Sequence, residues 1–172
     1  FGLVDRQGRI VGNPRSYRDP RSGRGMQAFH DKYGIRAAFD LTGIANLEFN
    51  TLYQLYDMVQ QNDPQLHAAD KLLMMPDLLG YMLCGEKSIE YTHATTTQMI
   101  DPATGTWSKQ ICEMAGIDIS LMTDIVMSGT VKGKLVPEVL QDTGLKNAAD
   151  VICVGSHMIS EPSEILCSPM PQ

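Results

Sequence analysis

The sequence has no run of eighteen apolar residues, so it contains no stretch that would cross a membrane as a helix. It has no Cys-x-x-Cys pair. Cys84, Cys112, Cys153 and Cys167 are scattered, and His30, His67, His93 and His157 fall at no ligand spacing. That pattern argues against a zinc site or a disulfide framework and for a reducing, cytoplasmic setting, in which isolated cysteines act as small buried hydrophobes. Basic charge is also scarce, with 14 Lys and Arg against 20 Asp and Glu. A chain of net charge −6 lacks the basic face that nucleic acid requires. No G-x-x-x-x-G-K-[ST] loop, G-x-G-x-x-G turn or G-x-S-x-G elbow is present, which removes the common self-contained signatures of nucleotide and acyl chemistry.

What is present reads as one α/β unit. At 172 residues the chain is long enough for a single domain with a real core. Phe1 to Val4 reads as a strand, Asp5-Arg6-Gln7-Gly8 as a turn, and Arg9-Ile10-Val11 as a second extended run. The Pro- and Arg-rich stretch Asn13 to Arg21 reads as a loop, and Gly25 to Tyr33 as a short helix closed by Gly34. Leu52, Leu55, Tyr56 and Val59 fall at i, i+3, i+4 and i+7, which predicts an amphipathic helix capped by Asn50 or Thr51 and ended by Asn62-Asp63-Pro64. Pro76 and Asp77 suit the start of another helix, with Gly85 at its exit, and Ser108 caps a further one that stops near Gly116. Val151 to Val154 is a continuous apolar run of the kind expected of a buried parallel strand. The stretch from Met158 to Gln172, rich in Pro and Ser, has no period and reads as an irregular tail.

Few residues stand out as chemistry. Gly155-Ser156-His157 follows an apolar strand, where ligands gather in α/β sheets, so His157 could bond a polyol; the plainer reading is a histidine near a chain end. Tyr91 to Thr97 is dense in hydroxyls that could line a sugar pocket, although composition alone favours strand or turn there. Arg15, Arg18, Arg21 and Arg24 could attract an anion or form a solvated loop, and Tyr53, Tyr56 and Trp107 read as core.

Several stretches together resemble the FGGY family of carbohydrate kinases, and within it the branch acting on L-rhamnulose. They are Phe1-Gly2-Leu3-Val4-Asp5, Tyr17-Arg18-Asp19-Pro20-Arg21, Thr42-Gly43-Ile44, Phe49 to Leu55, Leu73 to Gln98 and Val154-Gly155-Ser156-His157. The resemblance implies a ribonuclease H-like, actin-like ATPase fold, incomplete here. Residues 1–157 would form part of the N-terminal FGGY domain, with 158–172 as the tail. It implies transfer of the γ-phosphoryl of Mg-ATP to the 1-hydroxyl of L-rhamnulose, giving L-rhamnulose 1-phosphate, with an aspartate as base on that hydroxyl. The alternatives are a kinase for another ketose or polyol of the family, or a non-catalytic sugar-binding or scaffold module.

By matched position, His157 resembles the family's sugar-contacting histidine, and Tyr91 a tyrosine near the sugar. Arg18 and Asp19 lie in a loop that approaches the cleft in the family. The family motif Ser-His-Asp-Thr departs here to Ser156-His157-Met158-Ile159, so Met158 occupies the position of the base and cannot accept a proton. The family's first phosphate loop would precede Phe1 and its adenosine-binding half would follow this chain. ATP and Mg2+ are thus cofactors of the full-length family and none is expected for this chain alone. Its expected partners are L-rhamnulose or a related ketose and the remainder of the kinase, with no nucleic acid and no membrane.

Overall fold

The computed structural model describes residues 1–156. In chain order these form β1 (Gly2–Val4), α1 (Arg21–Tyr33), α2 (Ala37–Thr42), α3 (Thr51–Gln60), α4 (Pro64–Ala68), β2 (Lys71–Leu73), α5 (Met75–Cys84), β3 (Ser88–Glu90), α6 (Tyr91–Thr95), β4 (Ile100–Asp101), β5 (Thr106–Trp107), α7 (Lys109–Ala115), β6 (Asp124–Val126), β7 (Val131–Lys134), α8 (Pro137–Thr143) and β8 (Asp150–Ile152). The strands pair two by two among the described residues. β1 runs antiparallel to β2 with Leu3 opposite Leu72, and β3 runs parallel to β6 with Ile89 opposite Ile125. β4 and β5 form a hairpin, and β7 runs antiparallel to β8.

The core is built around α1 and α3. Phe29 of α1 meets Tyr56 edge-on at 5.2 Å and Tyr53 at 5.8 Å, a geometry that sets positive ring edges against negative ring faces. All three rings are buried, together with Leu52 and Leu55 of the predicted stripe and Met58 outside it, while Val59 is partly buried. The two helices approach closely because Gly25 has no side chain: a Cβ there would lie 2.1 Å from the Tyr53 carbonyl oxygen. Beside that crossing Arg24 donates two hydrogen bonds to the buried Asp57 carboxylate, at 2.7 and 3.0 Å.

Three expectations need correction. The first helix begins at Arg21, one turn before Gly25, because the Asp19 carboxylate accepts the Arg21 N–H and supplies a start. Asn50 precedes α3 as expected but does not cap it with its side chain, which instead donates to Gln98 Oε1 and the Ala45 carbonyl. The run Val151 to Val154 is not a buried parallel strand. β8 is antiparallel to β7, and Ile152 and Val154 are 54% and 67% exposed, with only Cys153 of the run turned inward. Apolar composition marks a strand without saying how many faces are covered.

Candidate functional site

The site starts at the end of β3. Glu90, 1% exposed, turns its carboxylate back over the next turn and accepts from the N–H groups of Thr92 at 2.8 Å and His93 at 3.2 Å. Both are donors that the start of a helix leaves without intrahelical partners, so this cap makes Tyr91 to Thr95 helical. The threonines then satisfy themselves locally: Thr95, Thr96 and Thr97 donate their hydroxyls to the carbonyls of Thr92, His93 and Ala94. The Glu90 cap is thus what makes a Thr-rich segment helical where its composition favours strand or turn, and the hydroxyls are satisfied within that turn. That back-bonding also narrows the sugar-pocket reading, since these three hydroxyl protons are already committed.

One further segment reaches the same carboxylate, and another reaches the Thr92 hydroxyl bonded to it. Ser128, just after β6, donates to Glu90 Oε1 at 2.6 Å. The Thr92 hydroxyl donates to Glu90 Oε2, and its oxygen accepts the Ser156 N–H at 2.7 Å. The backbone at Gly155 runs close enough that a Cβ there would lie 3.0 Å from Ser128 Oγ and 3.5 Å from Thr92 Oγ1. The Tyr91–Thr97 and Gly155-Ser156 stretches, 64 residues apart between Thr92 and Ser156, therefore meet at one hydroxyl.

Beneath this junction lies a buried polar layer. Asp77 of α5 accepts the Glu90 N–H at 3.0 Å through Oδ1, while its Oδ2 stands 3.1 Å from His93 Nδ1. Lys132 of β7 enters the interior where the β7–β8 register shifts between Val131 and Gly133, an irregularity that re-aims a side chain. Its ammonium lies 3.5 Å from Asp77 Oδ1 and donates to the Ser88 carbonyl at 2.7 Å. One cation thus faces a buried carboxylate, as burial of charge requires.

Tyr91 opens α6, half-buried, with its ring beside the β4–β5 turn at Gly105. Arg18 and Asp19 belong to a different region, the loop that Gln54 of α3 anchors by donating to the Ser16 carbonyl at 2.9 Å. Arg18 is exposed and donates to the Tyr17 hydroxyl at 3.0 Å. Asp19 is engaged by Arg21, whose side-chain and backbone hydrogen bonds hold its carboxyl well below the usual carboxylate range. Arg15 pairs with Asp63 and Arg24 with Asp57, so three of the four clustered arginines are neutralised. His157 and Met158 lie outside the described residues, as does the whole of 158–172. Ser128 was not singled out by sequence reasoning, and Glu90 and Thr92 entered it only as members of longer stretches. The available signal was an acid just before an N–H-rich helix start, a place that favours negative charge.

Among the described residues no three of His, Cys, Asp and Glu are grouped to hold a metal ion. Gly34, Gly43, Gly85, Gly116 and Gly144, all with positive φ, each close a helix singly, and among the described residues no glycine-rich turn leads from a strand into a helix. Cys84, Cys112 and Cys153 are free and buried, and no described helix is long and apolar enough to cross a membrane.

The comparisons agree with this architecture. The model of the FGGY family of carbohydrate kinases, N-terminal domain, matches residues 2–160. Rhamnulokinases from Enterococcus faecalis and Bacteroides thetaiotaomicron are each 35% identical over 157 residues, 91% of this chain and 31% and 32% of theirs. The chain thus spans about a third of the length of the curated relatives it matches. Among solved structures, a xylulose kinase from Lactobacillus acidophilus superposes with a TM-score of 0.81 at 15% identity, over 90% of this chain and 32% of the other. A xylulose kinase from Rhodospirillum rubrum does so at 0.79 and 21%, with the same coverage. The latter two likenesses establish the sugar-kinase, actin-like fold, and the family match with the rhamnulokinase identity places this chain in the FGGY family of carbohydrate kinases.

Proposed function

We propose that this chain serves in an ATP-dependent kinase that phosphorylates the 1-hydroxyl of L-rhamnulose, and that it carries part of the sugar side of that reaction. The observation that carries the reading is the junction at Thr92, where the two stretches that resemblance links to the sugar meet through a 2.7 Å hydrogen bond. The choice of L-rhamnulose rests on the 35% identity with two rhamnulokinases across nine-tenths of the chain. Tyr91 and His157 are the proposed sugar contacts, and a polyol suits them because a phenol and an imidazole both donate and accept. Arg18 and Asp19 are proposed as residues at the rim of the cleft, the arginine exposed and the carboxylate held ionised by Arg21.

Met158 stands where the family motif has its aspartate, so the chain by itself has no base there to take the proton from the sugar hydroxyl. We therefore expect it to be catalytically inert alone. Binding is the property to test first. L-Rhamnulose titrated into the 15N-labelled chain should shift the amide signals of Tyr91, Thr92 and Ser156, with a dissociation constant on the order of millimolar, near −4 kcal/mol. The response should vanish in His157→Ala. Shifts confined to other surfaces, or none at saturating sugar, would remove the sugar-site reading.

A further inference from the structure

We propose that Thr92 is a positioning residue for the Gly155-Ser156 segment, and that Glu90 with Ser128 holds Thr92 in the orientation that does this. The inference goes beyond the sugar contacts above, and its functional consequence rests on that reading. Its geometric content does not.

The Thr92 hydroxyl has one proton. It is donated to Glu90 Oε2, which leaves the oxygen lone pairs facing away from the carboxylate and free to accept. The Ser156 N–H uses that acceptor at 2.7 Å. A hydroxyl free to rotate would offer its proton or its lone pair in turn. A hydroxyl whose proton is fixed on a carboxylate offers only the lone pair, and it is more strongly polarised for being charge-assisted. Glu90 is itself fixed by four donors: two N–H groups of α6, the Thr92 hydroxyl and the Ser128 hydroxyl. Its side chain is 1% exposed, so water does not compete for the carboxylate.

Two elements are thereby bound directly to one anion, the start of α6 and the exit of β6, and the segment after β8 is tied to them through the Thr92 hydroxyl. A Cβ at position 155 would lie 3.0 Å from Ser128 Oγ, so that hydroxyl would have to give by a few tenths of an ångström. The segment that Thr92 fixes directly precedes His157 in the chain. A histidine meant to meet a sugar hydroxyl must be held to a fraction of an ångström, and a backbone anchored one residue upstream removes much of the freedom that would otherwise be lost on binding.

The substitutions that test this are Thr92→Val, which keeps the shape and removes the hydroxyl, and Thr92→Ser, which keeps the hydroxyl. The readout is the Ser156 amide in the absence of any sugar, by hydrogen exchange and by its 1H chemical shift. We expect Thr92→Val to speed Ser156 exchange about fivefold and move its 1H resonance upfield, the loss of one neutral hydrogen bond, and Thr92→Ser to restore both. Glu90→Gln, which frees the Thr92 proton, should give an intermediate shift. If Thr92→Val fails to fold, Thr92→Cys, whose thiol is a poor acceptor, reads the same amide. A Ser156 amide that exchanges and resonates as in the unsubstituted chain when Thr92 lacks its hydroxyl overturns the inference. If the amide responds as expected while L-rhamnulose shifts no signal in the unsubstituted chain, the positioning holds and the sugar reading alone fails.

Discussion

Cys112 and Tyr53 show how burial of a single ionisable side chain sets the response of the molecule to base. Both are fully enclosed, at 1% and 0% exposure. Burial pushes the Cys112 thiol up to about 11, helped by the nearby Asp118 and Glu113 charges, and pushes the Tyr53 phenol up to about 12. Each group is neutral in the fold and must stay so. The unfolded chain releases these protons at lower pH than the folded chain. Their contribution to stability is thus whole below the unfolded values of 9.0 and 10.0 and is lost as pH rises through the folded ones. Urea denaturation at pH 8 and at pH 10.5 should show a loss of roughly 2 kcal/mol attributable to Cys112. In Cys112→Ala that share of the pH dependence should be missing, whatever its stability at pH 8. An identical drop in both proteins would show that Cys112 ionises normally in the fold. The same shift makes the thiol inert near neutrality, in keeping with a packing role.

At the scale of elements, the molecule depends on the α1–α3 crossing. Gly25→Ala would drive a methyl group into the Tyr53 carbonyl, a backbone atom that cannot swing aside. The expected cost is about 3 kcal/mol, the upper end of ordinary overpacking, read as a lower urea midpoint. A change below half a kilocalorie would mean that the helices separate without penalty. Much of this layer was legible in the residue pattern: the stripe Leu52, Leu55, Tyr56, the Pro76 start and Gly85 exit of α5, and the Ser108 cap, whose oxygen accepts the Ile111 N–H at 3.3 Å. Those signals are local, and local chemistry decides them. What could not be read was long-range. Thr92 and Ser156 are distant in sequence, so nothing in either stretch announces that they share a hydrogen bond. The α6 start depends on one carboxylate folding back, which propensity for threonine does not encode. The exposure of β8 depends on which strands lie beside it, and an apolar run carries no record of its neighbours.

At the scale of the whole molecule, the chain presents a division of labour. It has the fold of the sugar-kinase N-terminal domain, and Thr92 and Ser128 gather on Glu90 while Thr92 also holds the Ser156 N–H. Among the described residues no three of His, Cys, Asp and Glu are grouped to hold a metal ion, and on the proposed reading Met158 stands where the family has its base. On that reading the chain would hold a sugar without activating it. The most direct test is ADP release by the purified 172-residue chain supplied with Mg-ATP and L-rhamnulose, followed in a coupled assay against a mock purification from the same host. We expect no ADP above that control at any sugar concentration. Sugar-dependent turnover that co-purifies with the chain and disappears in His157→Ala would contradict it, since phosphoryl transfer would then proceed with methionine in the place of the base.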